Sequence, residues 1–318
     1  QRDVMKNEVI CLADHHQVSD SDFRQRLDLL EREEAQGRVP IYGLEWNKPP
    51  WQHINFFAYD KNVMKELRQI LHGGLDLNLV FNEIWNNFPN QVAAIRHFHG
   101  STDTHTYISD PRLEWGMEVL RGRGDMLATQ KGMFGGGLTD PAFSWTSEGG
   151  DISLDEASNF STPSEFPFPV NFIHWKKAKL GLIGASDHHM TVLGACLTGF
   201  WVKELTGEGI FEALRNRYTL ATANGKLSLW VSNNGTNMGQ IGQTTTPVEL
   251  NISAASPIPL KTISIWSDGK WVKHMSVNES KVEISFADEN ALTGKHYYIV
   301  RVESQLSELF PKGPIITY

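Results

Sequence analysis

Histidine and carboxylate residues stand at the ends of several predicted strands in this sequence. The apolar run at residues 181–185 leads into Asp187, His188 and His189, and a short apolar run bounded by glycine is typical of a buried strand. Strand side chains alternate, so Asp187 and His189 point to the same face. A carboxylate and an imidazole at such a strand end are suitable metal ligands. For this run alone, a polar junction between strand and loop is the alternative.

The same residue types follow other predicted strands. His15, Glu45 and His97 each come directly after or close behind a short apolar run. In parallel α/β architectures the carboxyl ends of the strands share one face, where active sites are built. His53 lies in the strand after Glu45 and could be either a metal ligand or a hydrogen-bonded strand histidine. His99 shares a strand face with His97, but it could contact a ligand instead of binding the ion itself. This mixture of imidazoles and carboxylates predicts a Zn, Mn or Fe site.

The elements that would position these residues alternate between strand and helix. Such an order predicts an α/β fold with a mostly parallel sheet or barrel. Glycine and polar residues dominate residues 121–164, where we expect a loop that closes over the site and selects the substrate. The predicted strands are 8–13, 39–44, 51–59, 92–95, 114–120 and 181–185, and the predicted helices are 23–36, 61–72, 79–88, 172–179 and 208–217.

The sequence changes in character near residue 222. Short alternating strands follow, separated by Asn-Gly, Asp-Gly and Thr-Gly turns, and this spacing predicts an antiparallel β-sandwich. We therefore expect one domain over residues 1–222, which carries the predicted metal site, and a small sandwich domain over residues 223–318. The predicted sandwich strands are 227–231, 248–252, 261–266, 281–286 and 297–302.

The composition of the 318-residue chain is that of a globular protein, with 40% hydrophobic and 21% charged residues. Its formal net charge of -8 argues against a nucleic-acid partner or a membrane-surface binder. No apolar stretch is long enough to span a bilayer. Cys11 and Cys196 are too few for a disulfide framework and do not form a zinc or redox motif.

The order of the polar motifs resembles the polymerase-and-histidinol-phosphatase (PHP) superfamily of metallo-phosphoesterases. The carboxyl-terminal part is similar to one branch of that superfamily, in which a helix like residues 205–217 and a segment like residues 218–225 precede a small β-domain with an element like residues 234–239. The motifs that carry the resemblance are Leu12-Ala-Asp-His-His16, Gly43-Leu-Glu45, Gln52-His-Ile-Asn55, Arg96-His-Phe-His99 and Gly184-Ala-Ser-Asp-His-His189.

The resemblance implies a distorted (β/α)7 barrel that holds up to three divalent ions at the carboxyl ends of its strands. It also implies that the chain hydrolyses a small phosphorylated substrate. Asp14 would orient a ligand histidine. The implied metal ligands are His15, Glu45, His97, Asp187 and His189, with His53 and His99 as further candidates.

Two departures from that pattern bear on the expected site. The superfamily opens with a strand that carries a His-x-His pair, and this sequence lacks it, so we expect a barrel without its first strand and with fewer metal ions. The superfamily often has His-Pro where this chain has His97-Phe98. We also expect that a native amino terminus precedes Gln1, which leaves a periplasmic or secreted location open. Oligomer formation is open as well.

The expected mechanism is attack on phosphorus by a metal-bridged hydroxide. Arg96 and Arg112 are candidates for neutralising the charge that develops on the phosphate oxygens, although each could be a surface arginine. Two alternatives remain at this point. The chain could be a non-catalytic binding or structural protein that keeps a degenerate fold, or a metal-dependent amide or ester hydrolase.

Overall fold

A computed structural model describes ten ranges of the chain, which form two compact units. The first unit comprises Gln1–Met117, Lys179–Gly181 and Phe200–Tyr218, and the second comprises Glu118–Ala178, Leu182–Gly199 and Thr219–Tyr318. The described residues are 7–48, 52–96, 110–121, 124–125, 179–185, 196–223, 225–268, 270–291, 294–305 and 316–317.

The first sheet follows the order of the chain from β1 to β6. The β1–β2 and β4–β5 pairs are parallel, whereas the β2–β3, β3–β4 and β5–β6 pairs are antiparallel. A further strand, β7, pairs with β5. The strands are β1 (Val9–His15), β2 (Val39–Lys48), β3 (Gln52–Ala58), β4 (Val92–Arg96), β5 (Glu114–Arg121), β6 (Gly124–Asp125) and β7 (Gly181–Ala185).

Three helices cover one face of strands β1 to β4. Apolar side chains from α1, α2 and α3 form one core with the side chains of every second strand residue, among them Leu44, Ile54 and Phe56. A serine, threonine or aspartate side chain caps the amino terminus of each described helix by accepting a backbone N–H. The helices are α1 (Asp20–Glu34), α2 (Lys61–His72), α3 (Leu77–Asn87) and α4 (Gly207–Asn216).

The predicted (β/α)7 barrel is wrong. The described part is mostly β-strand, and its first sheet is mixed rather than parallel. The reason lies in the connections. Only residues 49–51 separate β2 from β3, and a parallel pair needs a crossover of roughly a dozen residues or more, so β3 returns antiparallel to β2. Two successive helices then join β3 to β4 and return the chain to the end of the sheet where β3 finishes.

Two further sheets follow in the order β11-β10-β12-β15 and β14-β13-β16-β17-β9-β8. Side chains from both sheets, including Leu250, Ile252, Ile263 and Val302, bury one common core, as in a β-sandwich. A strand overlaps each of the five strands predicted here. The strands are β8 (Cys196–Phe200), β9 (Thr219–Ala223), β10 (Ser228–Asn233), β11 (Thr236–Asn237), β12 (Val248–Ala255), β13 (Leu260–Ser267), β14 (Lys270–Ser276), β15 (Lys281–Asp288), β16 (Tyr298–Ser304) and β17 (Ile316–Thr317).

Some predictions fall mostly or wholly outside the described residues. The predicted lid loop at 121–164 and the predicted helix at 172–179 lie almost entirely there. Among the helices that the structure describes, none has the length and apolar character to cross a membrane.

Candidate functional site

Three of the predicted ligands, His15, Glu45 and His53, lie together at one edge of the first sheet. His15, the last residue of β1, is paired with Glu45 near the end of the parallel strand β2. Because β3 is antiparallel to β2, His53 near its beginning reaches the same edge. His53 Nδ1 lies 2.8 Å from Glu45 Oε1, and His15 Nε2 lies 3.8 Å from Glu45 Oε2. One carboxylate therefore stands between two imidazoles from neighbouring strands.

Burial distinguishes the members of this group. The Glu45 side chain is 11% exposed, whereas the side chains of His53 and His15 are 27% and 45% exposed. A buried carboxylate needs a hydrogen-bond or charge partner, and the His53 ring supplies one. His16 follows directly after β1, and burial lowers its pKa below that of an ordinary histidine. The two histidines are thus the more solvent-exposed members of the group.

Two asparagines belong to the same region, and neither is among the site residues that the sequence predicts. Asn47 lies two residues beyond Glu45 on β2, so it projects from the same face, and its Nδ2 is 2.7 Å from His15 Nδ1. Asn55 is paired directly with Glu45 and is 6% exposed. The available signal was the period of two, which places Glu45 with Asn47 and His53 with Asn55 on one face of the sheet.

Beside Glu45 on the same face of the sheet, the side chains of Phe57 and Ala13 lie very close to Gly43. A Cβ atom on Gly43 would lie 2.8 Å from the ring of Phe57 and 2.9 Å from the Cβ of Ala13. The Phe57 ring therefore rests on the glycine, two residues from Glu45. This explains why the Gly-Leu-Glu motif has glycine at that position.

Arg96 does not join the group around Glu45. Its partner across the sheet is Ile54, whereas Asn55 is the partner of Glu45, so alternation places the Arg96 side chain on the opposite, helix-covered face. There its Nε donates to Glu114 Oε1 at 2.6 Å, and the two side chains are 3% and 0% exposed. The structure thus gives Arg96 a buried counter-charge away from the predicted metal site.

Arg112 lies before β5, at the end of the sheet opposite to Glu45. Its Nε donates to Asp110 Oδ1 at 2.9 Å and its Nη2 donates to Asn82 Oδ1 at 2.8 Å. The Arg112 guanidinium also stands 5.8 Å from the centre of the Trp85 ring. These contacts hold it against α3, away from Glu45. Asp110 connects it to the Arg96–Glu114 pair, because the Asp110 backbone N–H donates to Glu114 Oε2 at 2.7 Å.

His15, Glu45 and His53 are of the residue types that bind transition-metal ions. Two ligands of a tetrahedral ion at about 2.0–2.2 Å stand roughly 3.3–3.6 Å apart. Glu45 is closer than that to His53, at 2.8 Å, and farther than that from His15, at 3.8 Å. In the part of the chain that the structure describes, no three His, Cys, Asp or Glu side chains are placed to hold an ion. The remaining predicted ligands, His97, His99, Asp187 and His189, lie outside the described residues.

Comparison with models of protein families, with curated proteins and with solved structures finds no match to this chain.

Proposed function

We propose that this chain is a metal-dependent hydrolase that acts on phosphate esters. The observation that carries the proposal is the convergence of His15 and His53 on the Glu45 carboxylate at one sheet edge. The three residues of this group come from three different strands. Their side chains are of the types that divalent transition ions prefer. A buried ion pair that only stabilised the fold would not need two partly exposed imidazoles.

Each residue of the group has a distinct part in this proposal. Glu45 supplies the negative charge and holds the position between the two rings. His15 offers its Nε2 from the exposed side, and His53 either binds through a ring nitrogen or accepts a proton while Glu45 orients it. A bound divalent ion would supply a water of lowered pKa and neutralise charge on the substrate.

The phosphate ester as substrate rests on the resemblance of the motifs. The same motifs add His97, His99, Asp187 and His189 as the donors that would complete the ligand set. Arg96 is left out of the reacting group because its guanidinium pairs with Glu114 on the other face.

The test measures metal content and hydrolysis on the same preparations of the full chain. Wild type, Glu45→Gln and the control Glu83→Gln, which changes an exposed carboxylate on α3, are dialysed against Zn²⁺ or Mn²⁺ and then against metal-free buffer. Bound metal is counted by mass spectrometry. Phosphomonoesters, cyclic phosphodiesters, carboxylic esters and amides are then offered as substrates.

We expect about one ion or more per chain in wild type and in Glu83→Gln, a strong loss in Glu45→Gln, and hydrolysis of a phosphate ester that falls with the metal. No stoichiometric metal in wild type would overturn the proposal. Hydrolysis that survives chelation but not Glu45→Gln would also overturn it, since it would assign an acid–base role to the His53–Glu45 pair alone. Hydrolysis of amides but not phosphate esters would overturn the substrate class.

A further inference from the structure

The two ends of the Asn47 side-chain amide have different surroundings. Its Nδ2 lies 2.7 Å from His15 Nδ1, while its Oδ1 is buried and has no hydrogen-bond partner among the residues that the structure describes. A buried acceptor without a donor costs free energy, so an amide left in this state is unusual. The two ends of an asparagine amide are nearly equal in shape, and rotation by half a turn exchanges them.

We propose that Asn47 is a positioning residue that sets which ring nitrogen of His15 carries the proton. This inference rests on the proposed function and concerns the same site. With Nδ2 facing His15, the ring must accept at Nδ1 and keep its proton on Nε2, the atom that faces Glu45. With Oδ1 facing His15, Nδ1 carries the proton and Nε2 presents a lone pair towards Glu45.

Only the second state is compatible with a cation between His15 and Glu45. A neutral imidazole that binds an ion through Nε2 has a proton on Nδ1, and that N–H would oppose the N–H of an unrotated Asn47 amide. Rotation removes this conflict and gives Oδ1 the donor that it lacks. Histidine ligands generally donate their other N–H to such an acceptor, which fixes the tautomer and the orientation of the ring.

The strand geometry makes Asn47 suitable for this task. Its backbone belongs to β2, whose pairing with β1 sets the distance to His15, so the amide needs only side-chain rotation to change its donor for its acceptor. On its other side Asn47 is paired with His53 of β3. One residue on the central strand thus stands next to both imidazoles of the group.

The test compares Asn47→Asp, which offers only acceptors to His15, with Asn47→Leu, which has a similar shape and no hydrogen bond. Zn²⁺ dissociation constants are measured on the full chain by competition with a chelating dye. We expect Asn47→Leu to bind roughly 10–100-fold more weakly than wild type and Asn47→Asp to bind at least as tightly. A packing role alone predicts the reverse order, because leucine tolerates burial better than a carboxylate does.

A second readout needs no metal. In metal-free protein labelled with ¹⁵N-histidine, the ring nitrogen shifts of His15 report its tautomer, and we expect Asn47→Asp to move the proton to Nδ1 while Asn47→Leu does not. If wild type binds Zn²⁺ and both variants bind it equally well, this inference is overturned and the proposed function stands. If wild type binds no Zn²⁺, the proposed function fails, and identical His15 shifts in all three proteins would overturn this inference as well.

Discussion

The Arg96–Glu114 pair provides a sharp prediction about stability. Both side chains are buried, at 3% and 0% exposure, and Glu114 accepts from Arg96 Nε at 2.6 Å and from the Asp110 backbone N–H at 2.7 Å. The Glu114→Gln variant removes the counter-charge and cannot accept with both of its terminal atoms. Removing one partner of a buried ion pair costs about 3–5 kcal/mol, a large part of the roughly 5–15 kcal/mol that stabilises an ordinary domain.

A double variant separates this cost from a loss of general packing. In Arg96→Met with Glu114→Gln, no charge is left unpaired, and the glutamine oxygen can accept from the Asp110 N–H. We expect most of the lost stability to return.

The assay is urea unfolding, with hydrogen exchange of β4 and β5 as the local probe, and Glu83→Gln as an exposed control that changes the free energy of unfolding by about 0.5 kcal/mol or less. A Glu114→Gln protein as stable as the control, or a double variant no more stable than the single one, would refute the assignment of Arg96 to the core.

Two further predictions concern the sheet face beside Glu45 and its opposite end. Gly43→Ala places a methyl group within 2.8 Å of Phe57 and 2.9 Å of Ala13, and we expect a loss of about 1–3 kcal/mol in the free energy of unfolding; unchanged stability would contradict the close approach. Although burial raises the pKa of Asp110, its hydrogen bonds with Arg112 hold that pKa below its ordinary value. A depressed carboxyl pKa stabilises the fold above the unfolded value of about 3.9 and this contribution disappears as the pH falls through the folded pKa, so urea unfolding should show wild type more stable than Arg112→Gln near neutral pH and a difference that closes in acid. A difference that does not change with pH would contradict this account.

Local patterns in the sequence were sufficient to locate most described elements. The helix predicted at residues 61–72 is observed as Lys61–His72, and the strand predicted at residues 92–95 is observed as Val92–Arg96. These elements have strong helical or strand periodicity, and Asp60 caps the helix as its residue type suggests. Whether a segment has one apolar face depends on the spacing of residues within that segment, so the sequence alone shows it.

Strand direction was not predictable in the same way. The order of elements suggested parallel strands, but the short connection after Lys48 turns β3 back along β2. This reversal is also what brings His53 to Glu45, because a parallel β3 would have placed its first residues at the other end of the sheet. The predicted proximity of these two residues is therefore observed, although the topology that led to the prediction is not.

Side-chain direction explains two differences between the predicted and the observed site: Arg96 is not part of it, whereas two asparagines are. Arg96 follows an apolar run, as the predicted ligands do, but the register places it on the face away from Glu45. Asparagine is not a residue type that indicates a metal site, so the sequence does not single out Asn47 or Asn55. Only the pairing of β2 with its neighbours shows that they adjoin the histidines. Register across a sheet depends on residues distant in sequence, which a single-strand pattern does not contain.

The most direct test of the central claim is to locate an ion in crystals of the full chain grown with Zn²⁺, using anomalous scattering at the zinc edge. We predict a peak about 2.0–2.2 Å from a Glu45 oxygen and from a ring nitrogen of His15 or His53. A zinc peak that occupies another site while Glu45 keeps its direct hydrogen bond to His53, or the absence of any zinc peak in well-ordered crystals, would contradict the proposal.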